Sequence, residues 1–384
     1  MDRIRVAQVV GRMNKGGVEA TVMNLFRHTD HDRFKFDFIV QDDSSYVPRE
    51  EIENLGGSIH SIAPYKRISS YFHDLRRVFE ETRPDIVHAN VNALSVFPLG
   101  VAKRAGIPIR IAHSHSTAHS SELAKTMMKN ALRPFSKTNA TDLAACGELS
   151  ARWLFGNRAV NDGRVHIIHN AIDLGYYAAP TDIDTKRREL GIPQGLVVGQ
   201  VGRLCVQKNQ AFTLKVFAAL LHVQPDATLV LVGAGSRKGM LGLEHEAEQL
   251  GIRDRVRFLG GRDDVSDLYH MFDVMIFPSK YEGLPLSLVE AQAAGCPTVV
   301  STEVTKEVNI VPGMIVNLPL SGSPDEWARK LVEIGRRAPR DDAERKRDVR
   351  FLTDAGYAIE DSAKQVNAWY EELVSRAYER KAQT

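Results

Sequence analysis

Two glutamates with seven residues between them, Glu282 and Glu290, stand in the stretch Phe277-Pro278-Ser279-Lys280-Tyr281-Glu282-Gly283-Leu284-Pro285-Leu286-Ser287-Leu288-Val289-Glu290-Ala291. A strand ending at Phe277 and a helix opening at Pro285 would put Glu282 in the loop between them and Glu290 about one turn into the helix. Gly283 lets backbone N–H groups come close to a ligand, and the helix N-terminus adds partial positive charge. Two carboxylates so placed suit a polyhydroxylated ligand, because each accepts hydroxyl hydrogen bonds worth about 1.5–3 kcal/mol apiece. The plain alternative is a loop charge at Glu282 and a solvent-facing Glu290. Upstream, Val201-Gly202-Arg203-Leu204 closes another apolar run, and Lys208-Asn209 follows. Arg203 and Lys208 at a strand end could neutralise negative charge that builds on a reacting group, and losing one such cation costs ~10²–10³ in rate; two unrelated surface cations are the alternative. Near the start, Asn14-Lys15-Gly16-Gly17-Val18-Glu19 would open a helix running to about His28, where the amides of Gly16 and Gly17 could reach a phosphate. A tight turn would need the same two glycines. His113-Ser114-His115-Ser116 follows a short apolar run, and a neutral imidazole there could bond a hydroxyl or orient an acceptor.

These residues need a scaffold that delivers loops to one edge. Short Val- and Ile-rich runs recur at Ile4–Val10, Phe36–Val40, Ser58–Ile62, Ile86–Ala89, Ile109–Ala112, Leu143–Cys146 and Val165–Ile168. A second set follows at Leu196–Val201, Thr228–Val232, Val256–Leu259, Val274–Phe277 and Thr298–Ser301. Near-continuous apolar runs of this length fit parallel strands buried on both faces, and the amphipathic stretches between them complete a βαβ alternation. The expected class is α/β: two Rossmann-like parallel-sheet domains facing across a cleft, with ligands at the carboxyl ends of the strands. The predicted boundaries are 1–174 for the first domain and 175–358 for the second. A helix over 359–384 would return to the first domain. The 384 residues are 43% apolar and 26% charged, which excludes wholesale disorder, and a net charge of +2 excludes nucleic acid as the main partner. Cys146, Cys205 and Cys296 lie far apart among apolar neighbours, which argues against a disulfide framework or zinc site and fits a reducing cytosol. No run approaches 18 apolar residues, so a soluble, cytoplasmic protein is expected.

Pro-Ser-x-x-Glu-Gly-Leu-Pro with its second glutamate resembles the EX7E motif of retaining glycosyltransferases of family 4, which have the GT-B fold. Gly-Arg-Leu followed by Lys-Asn resembles that family's diphosphate signature, and Gly-Gly-Val-Glu its glycine loop. The resemblance implies that Glu282, Gly283 and Leu284 hold the donor sugar and that Glu290 grips the ribose. Arg203 and Lys208 would bind the diphosphate, Gly17 and Gly16 would close over it, and Arg262 would stand near the base. It implies a role beside the reacting sugar for His113, with His115 as second choice; His88, His166 and His169 are read as structural. Ala145-Cys146-Gly147-Glu148, Trp153-Leu154-Phe155-Gly156 and His169-Asn170-Ala171-Ile172-Asp173 look most like the EpsF-type exopolysaccharide and capsule subgroup, with Ala171 where Gly is commoner. The implied activity is transfer, with retention, of a hexose or N-acetylhexosamine from a UDP-linked nucleotide sugar to a lipid-carried oligosaccharide. The departing phosphate would help deprotonate the acceptor.

No cofactor is expected beyond the nucleotide sugar as co-substrate. The Asp-x-Asp triplet Asp182-Ile183-Asp184 falls in the predicted linker as a solvated turn, so the reading is metal-independent. Leu123–Lys137 carries Lys125, Lys129, Arg133 and Lys137 beside an apolar stripe, a pattern that could rest on anionic lipid at the inner membrane face. Residues 1–180 carry +4 and the remainder −2, the sign such a contact requires. A core-packed helix with a solvated basic face is the alternative. Two rival functions stay open: a catalytically silent nucleotide-sugar-binding subunit, and an NAD-dependent oxidoreductase, whose GxGxxG cue is missing after the first strand.

Overall fold

The structure, a computed structural model, describes residues 3–14, 16–115, 130–179, 181–337 and 342–382. The chain divides into two compact units, Met1–Ala171 with Ile359–Thr384, and Ile172–Ala358.

In the first unit, β1 (Ile4–Gly11), β2 (Phe34–Gln41), β3 (Ser58–Ile62), β4 (Ile86–Ala89), β5 (Ile109–Ser114), β6 (Asp142–Ala145) and β7 (Val165–Ile167) form one sheet. Its order is β3-β2-β1-β4-β5-β6-β7, and every neighbouring pair is parallel. The order reverses beside β1, between β1 and β4, the kind of switch point where such sheets open a crevice at their carboxyl ends. The helix Ile359–Ala382 completes this unit: Val366, Tyr370 and Leu373 are buried in one cluster with Phe26, Phe34 and Phe38. A distant segment therefore supplies part of the first core.

In the second unit, β8 (Val197–Val201), β9 (Thr228–Val232), β10 (Val256–Gly260), β11 (Val274–Phe277), β12 (Thr298–Ser301) and β13 (Ile315–Leu318) run in the order β10-β9-β8-β11-β12-β13. All pairs are again parallel. Every residue of β8, β9, β11 and β12 is buried, which is why these runs read as unbroken apolar segments. Helices on the faces bury Phe217, Leu220, Trp327 and Leu331 against the strands.

Two expectations change in detail. Ile315–Leu318 is a full strand where the sequence marks only Ile315–Val316 before the closing helical patterns, because its residues are only half-buried and Asn317 interrupts the apolar run. The Asp182-Ile183-Asp184 triplet is solvated as expected but opens a helix and not a turn: Asp182 accepts a bond from the amide of Thr185 at 3.1 Å and caps the helix Ile183–Glu189. Cys205, between Leu204 and Val206 in the sequence, is exposed. Ala171, where the related linker has glycine, is not among the positive-φ residues, so a side chain fits there without strain.

Candidate functional site

The carboxyl ends of β8 and β11 bring the predicted acid and base residues of the second unit together. After β8 the chain passes Gly202, whose φ of +149° and missing side chain let the stem of Lys208 lie across it; a Cβ there would sit 3.0 Å from Lys208 Cε. Gly233, after β9, is tighter still, since a Cβ would meet the Gly202 carbonyl oxygen at 2.0 Å. Lys208 then reaches over the Phe277 ring, 4.4 Å from its centroid, to pair with Glu282 at 2.7 Å. Glu282 is only 8% exposed. Gln207 holds the same loop: its Nε2 donates to Glu282 Oε2 at 3.1 Å and to the Tyr281 carbonyl at 3.0 Å, and its carbonyl accepts from the Lys280 amide. Gln200, buried in β8, donates to the Lys208 carbonyl, and Asn209, in the left-handed region at φ 59°, donates to the Pro278 carbonyl. The loop carrying Glu282 and the loop carrying Lys208 are thus bonded to each other at several points.

Glu290 lies in the helix Leu286–Ala293, which starts after Pro285 as the sequence pattern predicts. It is half-buried rather than solvent-facing. Tyr269 donates to its Oε2 at 2.7 Å, and Tyr177 is a second hydroxyl partner. Burial raises the pKa of Glu290, the two tyrosine hydroxyls and Lys208 opposing that rise. Burial and the neighbouring carboxylate push both tyrosines up, so they remain hydroxyl donors. Leu284 is buried and Gly283 half-buried between the two glutamates.

The cations divide. Arg203 is exposed and makes no ion pair among the described residues, while its carbonyl accepts from Gln210 at 2.9 Å. Arg262, read as a contact for a base, instead grips Asp264 through two bonds of 2.8 and 2.7 Å. Lys186 joins the same carboxylate, and Asp264 is held well below the usual carboxylate range, first by Arg262 and then by Lys186. The side chain of Arg262 is therefore part of a surface network with Asp264 and Lys186.

In the first unit, Gly16 caps the helix Gly17–His28. Its missing side chain makes room for Glu19, whose carboxylate would lie 2.6 Å from a Cβ at Gly16 and which accepts from the Asn14 amide at 3.1 Å. Around Gly17 the space is open. His113, at the end of β5, is 1% exposed and does not face solvent. Its Nδ1 lies 2.9 Å from His88 Nε2, and its ring stacks on His115 at 3.8 Å. His88, expected to be structural only, reaches Tyr370 of the last helix at 2.6 Å, and His115 reaches Asn90 at 2.9 Å. Burial pushes His88 and His115 down to about 3 and His113 well below its ordinary value, so all three are neutral at pH 7. His166 stacks on Trp369.

Sequence reasoning missed Gln207, Tyr177, Tyr269 and Tyr370. Gln207 adjoins Lys208 and could have been singled out; the tyrosines carry no local signal. Of the basic helix predicted over Leu123–Lys137, residues 123–129 lie outside the described part. The rest is not one continuous helix, since Arg133–Phe135 form a 3₁₀ turn around Pro134. Lys137 donates to the Phe155 carbonyl at 2.9 Å and Arg133 lies over Trp153, which turns two of the four cations toward the protein; Phe135 is exposed. Among the described residues no helix is long and apolar enough to cross a membrane, and no group of three metal-ligating side chains occurs.

Comparison with known proteins agrees with this architecture. The model for Glycosyltransferase Family 4 matches residues 15–176, and that for Glycosyl transferases group 1 matches residues 182–330. A protein of Bacillus subtilis (strain 168) named "Putative glycosyltransferase EpsF" is 35% identical over 335 residues, covering 85% of this chain and 87% of its own. The UDP-Gal:alpha-D-GlcNAc-diphosphoundecaprenol alpha-1,3-galactosyltransferase of Escherichia coli is 24% identical over 312 residues, 78% of this chain and 79% of its own. Among solved structures, Anabaena Alr3699/HepE in complex with UDP and glucose superposes with a TM-score of 0.72 at 19% identity, covering all of both chains. WaaG, a glycosyltransferase involved in lipopolysaccharide biosynthesis, gives 0.70 at 17% identity, covering 94% of this chain and 99% of its own. With both halves matched in order and a relative of this identity along most of its length, the chain belongs to the GT-B glycosyltransferases of the group 1/family 4 type.

Proposed function

We propose that this glycosyltransferase uses a nucleotide sugar, UDP-linked, held at the carboxyl ends of β8 and β11. The observation that carries the reading is the Lys208–Glu282 pair, braced by Gln207 at the carboxyl end of the sheet. A sugar offers hydroxyl donors to Glu282, and a diphosphate offers oxygens to Lys208, so one ligand can replace both halves of the existing pair. Glu290, with its tyrosines, would accept the two ribose hydroxyls. Arg203 and Lys208 supply the charge that a departing diphosphate needs, which supports a reaction independent of metal.

The finer reading is transfer of a hexose or N-acetylhexosamine with retention of configuration. The anomeric C–O bond to phosphate breaks, the acceptor oxygen bonds to the same carbon on the same face, and the acceptor proton passes to the departing phosphate oxygen. A lipid-carried oligosaccharide in exopolysaccharide or capsule synthesis fits as acceptor, in keeping with the diphosphoundecaprenol substrate named for the Escherichia coli relative. Contact with an anionic inner membrane face at the segment 123–137 belongs to the same proposal.

Isothermal titration with UDP, UDP-glucose and UDP-N-acetylglucosamine, with EDTA present, tests the core of it. Micromolar binding that falls at least tenfold in Arg203→Ala is expected. Binding that requires Mg²⁺, or that survives both Arg203→Ala and Glu290→Gln, overturns the assignment. A chain that binds donor yet gives neither transfer nor hydrolysis would instead be the silent binding subunit.

A further inference from the structure

Six side chains of the first unit form one hydrogen-bonded chain, and a single backbone carbonyl sets its direction. The His88 carbonyl can only accept, and it lies 3.3 Å from Asn90 Nδ2, so that atom is the amide nitrogen. Asn90 Oδ1 is then the acceptor for His115 Nε2–H at 2.9 Å. Asn90 Nδ2 also donates to Gln8 Oε1 at 2.8 Å, which makes the far atom of Gln8 a donor, and it donates to the Tyr370 hydroxyl oxygen at 3.2 Å. The Tyr370 proton is thereby directed to His88 Nδ1 at 2.6 Å. Neutral His88 then carries its proton on Nε2 and donates it to His113 Nδ1 at 2.9 Å. Each link fixes the next, and the chain ends with a proton on His113 Nε2.

That terminal N–H and the lone pair of His115 Nδ1 are both buried without a protein partner among the described residues. Both rings line a cavity of about 10 Å³, room for about one water, with Gln8, Asn90 and Tyr370 contributing polar groups and Val22, Leu25, Phe36 and Val366 an apolar wall. Folding rarely leaves a buried donor and a buried acceptor unmet side by side. We infer that Tyr370, on the last helix, is a positioning residue: through His88 it locks His113 in the Nε2–H tautomer, so that the end of β5 presents a hydrogen-bond donor to an oxygen and not an acceptor. The same arrangement leaves His115 as the acceptor beside it. The kinetic part of this inference rests on the transferase reading; the tautomer part does not.

Histidine-labelled protein, examined by ¹⁵N–¹H correlation through the ring at pH 7.5, reads the tautomers directly. His88, His113 and His115 are each expected as neutral Nε2–H forms. In Tyr370→Phe, which keeps the ring and removes the proton, His88 and His113 are expected to show mixed tautomers, while His115, reached through Asn90, keeps its own. With a working donor, kcat should fall about tenfold at nearly constant donor KM. An Nδ1–H form of His113 in the native protein overturns the inference even if no variant folds. Unchanged tautomers in Tyr370→Phe overturn the role of Tyr370. Native protein inactive with every donor, but with the expected tautomers, counts against the transferase reading alone.

Discussion

Acidification should unfold the first unit through its buried histidines, and the size of the effect can be worked out. His88 and His115 are held down to about 3 by burial, with nearby imidazoles adding to the effect at His88, against about 6.5 in an unfolded chain. Their polar contacts, Tyr370, Asn90 and His113, carry no negative charge that would favour protonation. A group whose folded pKa is depressed in this way keeps its stabilising contribution above the unfolded pKa for a histidine and loses it as the pH falls toward the folded value. Below pH 6.5 each should cost about 1.4 kcal/mol per pH unit, hence about 2 kcal/mol apiece at pH 5. His113, displaced in the same direction, adds to this. The pair alone removes about 4 kcal/mol, a large part of the 5–15 kcal/mol that typical domains possess. Urea melts between pH 7.5 and 5, followed by hydrogen exchange of β4 and β5 amides, provide the measurement. His115→Gln should shorten the slope of stability against pH by one proton, which separates this cluster from the depressed His31 and His166 elsewhere in the unit. An equal slope in native protein and His115→Gln would refute the assignment of neutral, buried imidazoles.

Lys208→Ala should lower stability by roughly 3 kcal/mol, because it leaves Glu282 nearly enclosed without its cation. Lys208→Met with Glu282→Gln should recover most of that loss in thermal melts while still failing to bind donor. Glu290→Gln should retain the fold, since Tyr269 can still donate to the amide oxygen, but weaken UDP binding at least tenfold by titration calorimetry. Arg262→Ala should change stability by less than ~1 kcal/mol, as expected for an exposed pair, and an unaltered UDP affinity would assign base recognition there to backbone. Gly233→Ala should prevent accumulation of folded protein, because the added carbon meets the Gly202 carbonyl and the φ of +149° disfavours any side chain.

The doubly wound sheets were legible because parallel strands buried on both faces leave unbroken apolar runs, as in Val274–Phe277 and Thr228–Val232. Ile315–Leu318, half-buried and holding Asn317, leaves no such run. The helix Ile183–Glu189 was hidden for a related reason: its sequence, Ile-Asp-Thr-Lys-Arg-Arg-Glu, has no apolar stripe, and it is secured by the Asp182 cap and by Lys186 pairing with Asp264 and Asp267. At the candidate site, residue types and spacing left Glu282, Glu290 and Lys208 balanced between ligand contacts and surface charges, and it was the motif resemblance that singled them out. Their pairings were not legible, because Gln207 with Glu282 and Tyr269 with Glu290 meet only through the fold. His88 and Tyr370 stand 282 positions apart, and no local pattern relates them.

The last helix also sets an order of events. Because residues 359–384 belong to the first unit, that unit cannot be finished on the ribosome until the entire intervening segment has emerged. The later portion, continuous from 172 to 358, can close up beforehand, while the earlier one waits with Phe34 and His88 uncovered. Nascent chains at that stage expose apolar surface, and this is the interval in which a chaperone would have most to shield. Moving the final helix to the front by circular permutation should remove the delay, visible as faster protection of the early strands from protease during synthesis.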